Sequence, residues 1–167
     1  MTRGNFIAQS NYGVESLADG RINEAVQSFQ SAVQINPFYA SGLYNLGVAY
    51  RKQGLYEQAV GMLEKALAVA PNDARAEANL AMVLAARQRF TEAFPHYEAA
   101  LRLAPQESEV LLSYSNALSN YGAQMGQSGR HQDAIRYFER ALEILPANDS
   151  AKKNLEYERS RPAARGN

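Results

Sequence analysis

The chain has two histidines and no cysteine among its 167 residues. Without cysteine there are no disulfides, thiolate metal ligands or thiol nucleophiles. His96 and His131 have no carboxylate or serine around them at a triad-like or zinc-ligand spacing, so they read as surface or packing residues. Glu24, Glu57, Glu64, Glu92, Glu98 and Glu139 mostly stand beside Lys or Arg and read as solvated charges. The glycines form no phosphate-cradling motif. The expectation is therefore no enzyme, no catalytic residue, no metal and no cofactor. What recurs instead is a carboxamide. Asn11, Asn45, Asn79, Asn120 and Asn154 follow one another at steps of 34, 34, 41 and 34, although asparagine supplies only 12 of the 167 residues. A carboxamide both donates and accepts hydrogen bonds. A row of them can pair with the backbone of an extended chain whatever its side chains. Asparagine is also a mediocre helix former, because its amide competes with the backbone. A repeated local cost needs an offset. Ligand contact is one; a bond from each asparagine to a neighbouring helix, or plain exposure to water, is the other reading.

The same step organises the rest of the chain. Pro37, Pro71 and Pro105 are 34 apart and Pro146 follows 41 later. Gly13, Gly47, Ala81 and Gly122 keep that spacing, as do Ala25, Ala59, Ala93 and Ala134, and Phe29, Leu63, Tyr97 and Phe138. Within a unit, Ala59, Leu63 and Ala66 lie at i, i+4 and i+7, one face of a helix. Leu46, Gly47 and Tyr50 mark a preceding helix. Gly20, Gly54 and Gly129 mark the turn between them; Arg87-Gln88-Arg89 has no glycine there, which predicts a less relaxed turn. Each proline stops the second helix. Small residues let the two helices approach, and a larger side chain at Ala59 would hold them apart at roughly 1–3 kcal/mol.

This unit resembles the tetratricopeptide repeat, a 34-residue helix–turn–helix. Residues 40–73 carry the resemblance best, through Leu46-Gly47, Tyr50, Ala59, Ala66 and Pro71. The usual tryptophan of the first helix is replaced by Gln9, Leu43, Glu77 and Leu118. The resemblance implies an all-α fold, a right-handed superhelical solenoid of antiparallel helix pairs. It implies a single domain over 6–161, with repeats at 6–39, 40–73, 74–107 and 108–148, the last carrying a seven-residue insertion. A capping helix over 149–161 covers the last apolar face. The tail 162–167 is expected to be disordered.

Two departures stand out. The proline-to-glycine step is 17 before Gly122 and 10 in the earlier units, which places seven extra residues at about 108–114. Seven residues are about 1.9 helical turns, so the insertion lengthens the first helix while turning its face by only about 20°; a bulged loop is the alternative. Val110, Leu111, Leu112 and Tyr114 would then need cover from a partner, a second copy or the preceding unit. Pro95 falls near the start of the third second-helix, where it costs few hydrogen bonds and a mild kink is expected.

In the family the first helices line a concave groove. The resemblance therefore implies a peptide-binding role for Asn11, Asn45, Asn79, Asn120 and Asn154, similar to the asparagine ladder of other peptide-binding solenoids. Tyr44, Val48 and Met82, with Val14, Ala78 and Ala123, would form an apolar floor. Arg51, Lys52 and Arg75 would form a basic patch for an acidic or C-terminal group, unless they are solvated surface. A subgroup of the family clamps chaperone-tail carboxylates with lysine, asparagine and arginine. Ser10 and Val14 stand where its first repeat needs Lys and Asn, and Arg75 and Asn79 where its third needs Lys and Arg. That specialisation is rejected. The chain balances 17 basic against 17 acidic residues, and 46% of it is hydrophobic. The hydrophobic share is ordinary for a globular protein, and the balanced charge does not suit nucleic acid, nor does the slightly basic Arg159, Arg161 and Arg165. No signal peptide or run of about 20 apolar residues is present, so a soluble, cytoplasmic protein is expected. Its function reads as an adaptor binding an extended segment of another protein. A self-associating scaffold, hence a homo-oligomer, or the regulatory module of a larger enzyme are the alternatives.

Overall fold

The computed structural model describes residues 5–161, and these form α-helices joined by short turns, without strands. The helices are α1 (Phe6–Ala18), α2 (Ile22–Ile35), α3 (Ala40–Lys52), α4 (Tyr56–Val69), α5 (Ala74–Ala86), α6 (Phe90–Leu103), α7 (Ser108–Gln127), α8 (His131–Ile144) and α9 (Asp149–Ser160). They gather into two compact units, α1–α6 and α7–α9, divided between Leu103 and Ala104. In the first unit the pairs α1/α2, α3/α4 and α5/α6 stack in order, with α1 touching α3 and α3 touching α5. In the second, α8 packs on α7, and α9 packs on both. The fold is the expected all-α helical-repeat solenoid. No helix among the described residues is long and apolar enough to cross a membrane.

The repeating sequence anchors do the same work in each pair. Ala25, Phe29 and Ala32, with their equivalents Ala59, Leu63 and Ala66, Ala93, Tyr97 and Ala100, and Ala134, Phe138 and Ala141, are all buried. Opposite three of the bulky members stands a glycine: Gly13 faces Phe29, Gly47 faces Leu63 and Gly122 faces Phe138. The prolines sit two residues past the ends of α2, α4, α6 and α8. The residues before three of them, Asn36, Ala70 and Leu145, have left the helical region (φ −135°, −132° and −141°), as steric conflict with the proline ring requires.

The inter-helix turns share one device. Arg21, Leu55, Arg89 and Arg130 each donate a backbone N–H to the carbonyl five residues earlier, on Ser16, Tyr50, Leu84 and Met125, at 2.8–2.9 Å. This closure needs a left-handed residue before the donor. Gly20, Gly54 and Gly129 supply it at φ 76–77°, and Gln88 supplies it at φ 59°. The third turn is therefore the strained one, as its lack of glycine predicts.

The insertion lengthens a helix and forms no bulge: α7 has 20 residues where α1, α3 and α5 have 13. Val110 and Tyr114 are buried in the single chain, and Arg140 lies 5.8 Å from the Tyr114 ring centre. Leu112, 50% exposed, is the apolar side chain of the insertion still left in water. Helix α6 runs unbroken through Pro95. Helix α9 buries Ala151, Leu155 and Glu158 and exposes its charged face, as a cap does. The tail expected to be disordered, 162–167, lies outside the described residues.

Candidate functional site

The first unit builds one face from α1, α3 and α5. Asn11, Asn45 and Asn79 occupy the same register on these three helices, at steps of 34. Asn11 is exposed, and Asn45 and Asn79 are half-buried. The carboxamides of Asn11 and Asn45 make no hydrogen bond among the described residues. Asn79 differs: its Nδ2 donates to the Tyr44 hydroxyl at 3.3 Å and to the Arg75 carbonyl at 2.9 Å. Both of its amide hydrogens are thus engaged and its Oδ1 is left as acceptor. One member of the row is therefore tied to its own helix and to Tyr44 on α3.

Around that cross-link the start of α5 is tied down. Asp73 caps the helix, its Oδ1 accepting from the backbone N–H of Arg75 and Ala76 at 3.0 and 3.4 Å. The Arg75 guanidinium folds back on the same carboxylate, Nε to Oδ1 at 3.1 Å and Nη2 to Oδ2 at 2.9 Å. That side-chain hydrogen bond is the main reason the Asp73 carboxyl is held below its ordinary range. Arg75 also lies 5.0 Å from the Tyr44 ring centre, within cation–π range. Two residues of the expected basic patch part company here. Arg75 is neutralised by Asp73, whereas Arg51, half-buried, has a buried Nε with no hydrogen-bond partner. Lys52 is exposed. Arg51 also acts on the Tyr97 phenol, which burial pushes above its ordinary range while the cation draws it back.

Of the residues expected to form an apolar floor, Tyr44, Val48 and Met82 are half-buried, Val14 is exposed and Ala78 is buried. Ile7, which the sequence reading passed over, is 49% exposed, and Val14 two turns along α1 is 50% exposed. They flank Asn11. Their i, i+7 spacing was the available signal.

The second unit holds Asn120, exposed on α7, and Asn154, half-buried on α9. Neither carboxamide makes a hydrogen bond among the described residues. Asn154 lines a cavity of about 230 Å³ with Ala123, Gly126, Tyr157 and Glu158. Glu158 is 7% exposed and accepts His131 Nδ1 at 2.9 Å. In the first unit His96 Nδ1 lies 2.6 Å from Glu77 Oε2. Both histidines thus lock neighbouring helices together. Partners 27 and 19 residues away gave no sign of this in the spacing. No group of three metal-binding side chains occurs among the described residues.

Comparison with known proteins bears on the family and the fold. Two tetratricopeptide repeat family models match, one over residues 16–83 and one over 72–147. Among solved structures, a crystal structure of MamA protein aligns with a TM-score of 0.70 at 20% identity, covering 92% of this chain and 80% of that one. The first tetratricopeptide domain of Spaghetti (RPAP3), bound to the HSP90 peptide SRMEEVD, aligns with a TM-score of 0.65 at 20% identity, covering 67% and 89%. The Arabidopsis OM64 tetratricopeptide domain aligns with a TM-score of 0.66 at 19% identity, covering 69% and 95%. No curated protein sequence matches the chain.

Proposed function

This chain belongs to the tetratricopeptide repeat family, and we propose that it is a protein-interaction scaffold whose α1, α3 and α5 face holds an extended segment of another protein. The observation that carries this reading is the row of equivalent carboxamides, with Asn11 and Asn45 left without internal partners. Packed helices stand roughly 8–10 Å apart, and an extended chain advances about 3.3 Å per residue. One carboxamide therefore serves about every third residue of a bound strand. Asn45 offers donor and acceptor, and Asn79 offers Oδ1 to a backbone N–H. The RPAP3 domain takes an HSP90 peptide, so an array of this fold has room for such a ligand.

Energetics divide the labour. Each net hydrogen bond contributes about 0.5–1.5 kcal/mol, while micromolar affinity needs about 8 kcal/mol. The amide row alone is insufficient, and Ile7, Val14, Tyr44, Val48 and Met82 supply the apolar remainder. Asn120 and Asn154 give the second unit equivalent groups for the same use. A second copy of the chain is the less favoured occupant, because Val110 and Tyr114 are already buried in one chain.

The test begins with a peptide selected from a library of random linear dodecapeptides. Calorimetric titration then compares wild type with the Asn45→Ala/Asn79→Ala variant. Two lost contacts predict at least about tenfold weaker binding, with an unchanged circular dichroism spectrum and melting temperature within a few degrees. Equal affinity for the two proteins removes the amide row from the mechanism.

A further inference from the structure

The cavity of the second unit, about 230 Å³, is bordered by α7 and α9, with Phe138 of α8 also on its wall. A glycine opens it. Gly126 stands in the register that Leu17, Arg51 and Ala85 occupy in the earlier pairs. Glu158 borders the cavity from α9, in the register of Ala49 and Val83, which are both buried. Its own side chain is only 7% exposed. A carboxylate so far from water is costly unless its lone pairs are met. His131 Nδ1 meets Oε2 at 2.9 Å, and Oε1 has no hydrogen bond among the described residues. A Cβ on Gly126 would stand 2.5 Å from Oε1, so a side chain there would press on that oxygen. Arg161 does not supply the missing donor. Its Nε stays 3.9 Å from Oε2, and its Nη1 donates to the Tyr157 hydroxyl at 3.4 Å. The carboxamides of Gln127 and Asn154, on the same wall, make no hydrogen bond among the described residues either.

We propose that this cavity binds the side-chain ammonium of a lysine on a partner protein. The site lies within α7–α9 and the turn after α9, and it shares no residue with the α1, α3 and α5 face. Oε1 of Glu158 calls for a donor, and a carboxylate gains most from a charged one. An arginine fork would need both carboxylate oxygens, and Oε2 is already held by His131. An ammonium is a compact point charge with three donors on a flexible four-carbon stem. Three acceptors border the cavity: Glu158 Oε1, Asn154 Oδ1 and Gln127 Oε1. Ala123 and Phe138 give the stem an apolar wall. The amino end of a chain has no such stem, so the occupant is a lysine side chain.

The experiment titrates pentapeptides of glycine, blocked at both ends, into ¹⁵N-labelled protein. Their central residue is lysine, Nε-acetyl-lysine, arginine or norleucine, and a further all-glycine peptide keeps a free amino end. The lysine peptide is expected to shift the Gly126 backbone amide and the side-chain amides of Gln127 and Asn154, with a Kd of millimolar order. The other peptides are expected to bind at least about tenfold more weakly. Glu158→Gln is expected to bind the lysine and norleucine peptides alike. Gln127→Leu, at an exposed position, leaves the Glu158 and His131 pair intact and is expected to weaken the lysine peptide about threefold. It serves if Glu158→Gln fails to fold, and the comparison among peptides needs no altered protein. Equal affinity for the lysine and acetyl-lysine peptides overturns the assignment. So does a lysine peptide that leaves Gly126 and Asn154 unmoved. Either result leaves the amide row of α1, α3 and α5 standing.

Discussion

A Cβ placed on Gly47 would stand 2.7 Å from Leu63 Cγ and 3.4 Å from the Ala59 carbonyl. Leu63 is fully buried and cannot swing away, so α3 and α4 meet at a distance that only glycine permits. Gly47→Ala is expected to destabilise the protein by about 1–3 kcal/mol. Gly61, in the same pair of helices, has open space around its Cβ position. Gly61→Ala is expected to stabilise by about 0.5–1 kcal/mol, since alanine loses less entropy in a helix interior. Urea unfolding of the two variants checks both signs together.

Gln88 adopts φ 59°, where its three counterparts are glycine. A left-handed side-chain residue costs roughly 1–2 kcal/mol, and glycine's greater freedom in the unfolded chain returns part of that. Gln88→Gly is therefore expected to raise stability by about 0.5–1 kcal/mol. Thermal unfolding tests this; a lowered melting temperature would show that the turn is not strained.

Asn148 ties the capping helix to the pair before it. Its Oδ1 accepts the Ala151 N–H at 3.1 Å, while Nδ2 donates to Ser115 Oγ at 2.8 Å and Asn116 Oδ1 at 3.2 Å. Ser115 Oγ in turn donates to the Ala141 carbonyl at 2.7 Å. Because Asn148 and Ser115 are buried, water cannot replace these bonds. Asn148→Ala is expected to cost about 2–3 kcal/mol. Amide hydrogen exchange locates the loss: amides of α9 lose protection first, and those of α3 and α4 change least.

The paired Asp73 makes a pH prediction. Its folded-state carboxyl is held below the ordinary value near 3.8, chiefly by the Arg75 side chain. A depressed carboxylate contributes stability that is present above the ordinary value and is lost as the pH falls through the folded one. Asp73→Asn keeps a helix-capping side chain and removes the charge. Wild type is expected to exceed it by less than about 1 kcal/mol at pH 7, given how exposed Arg75 is. The difference is expected to shrink below about pH 4. A difference that grows on acidification contradicts this.

The sequence carried the fold because its evidence is periodic. Prolines, small residues and bulky residues at a step of 34 restate one helix pair, and Gln88 stood out by breaking the pattern. The site was legible only as a register. Asn11, Asn45 and Asn79 could be placed on equivalent turns, but which carboxamides are engaged depends on cross-helix geometry. Asn79 reaches Tyr44, 35 residues away, and no local pattern encodes that. Arg75 and Arg51 differ for another reason: Asp73, two residues away, caps α5 and takes the Arg75 guanidinium, while Arg51 has no such neighbour. The glutamate partners of His96 and His131 were hidden by separation alone.

The side-chain amide resonances of Asn11, Asn45 and Asn79 offer the most direct measurement. In ¹⁵N-labelled protein titrated with a selected dodecapeptide, the account predicts that the Asn45 and Asn79 NH₂ pairs shift and saturate along with the backbone amides of α3 and α5. If those pairs stay fixed while the amides of α2 and α4 move, the peptide lies on the opposite side of the helices and the account is wrong.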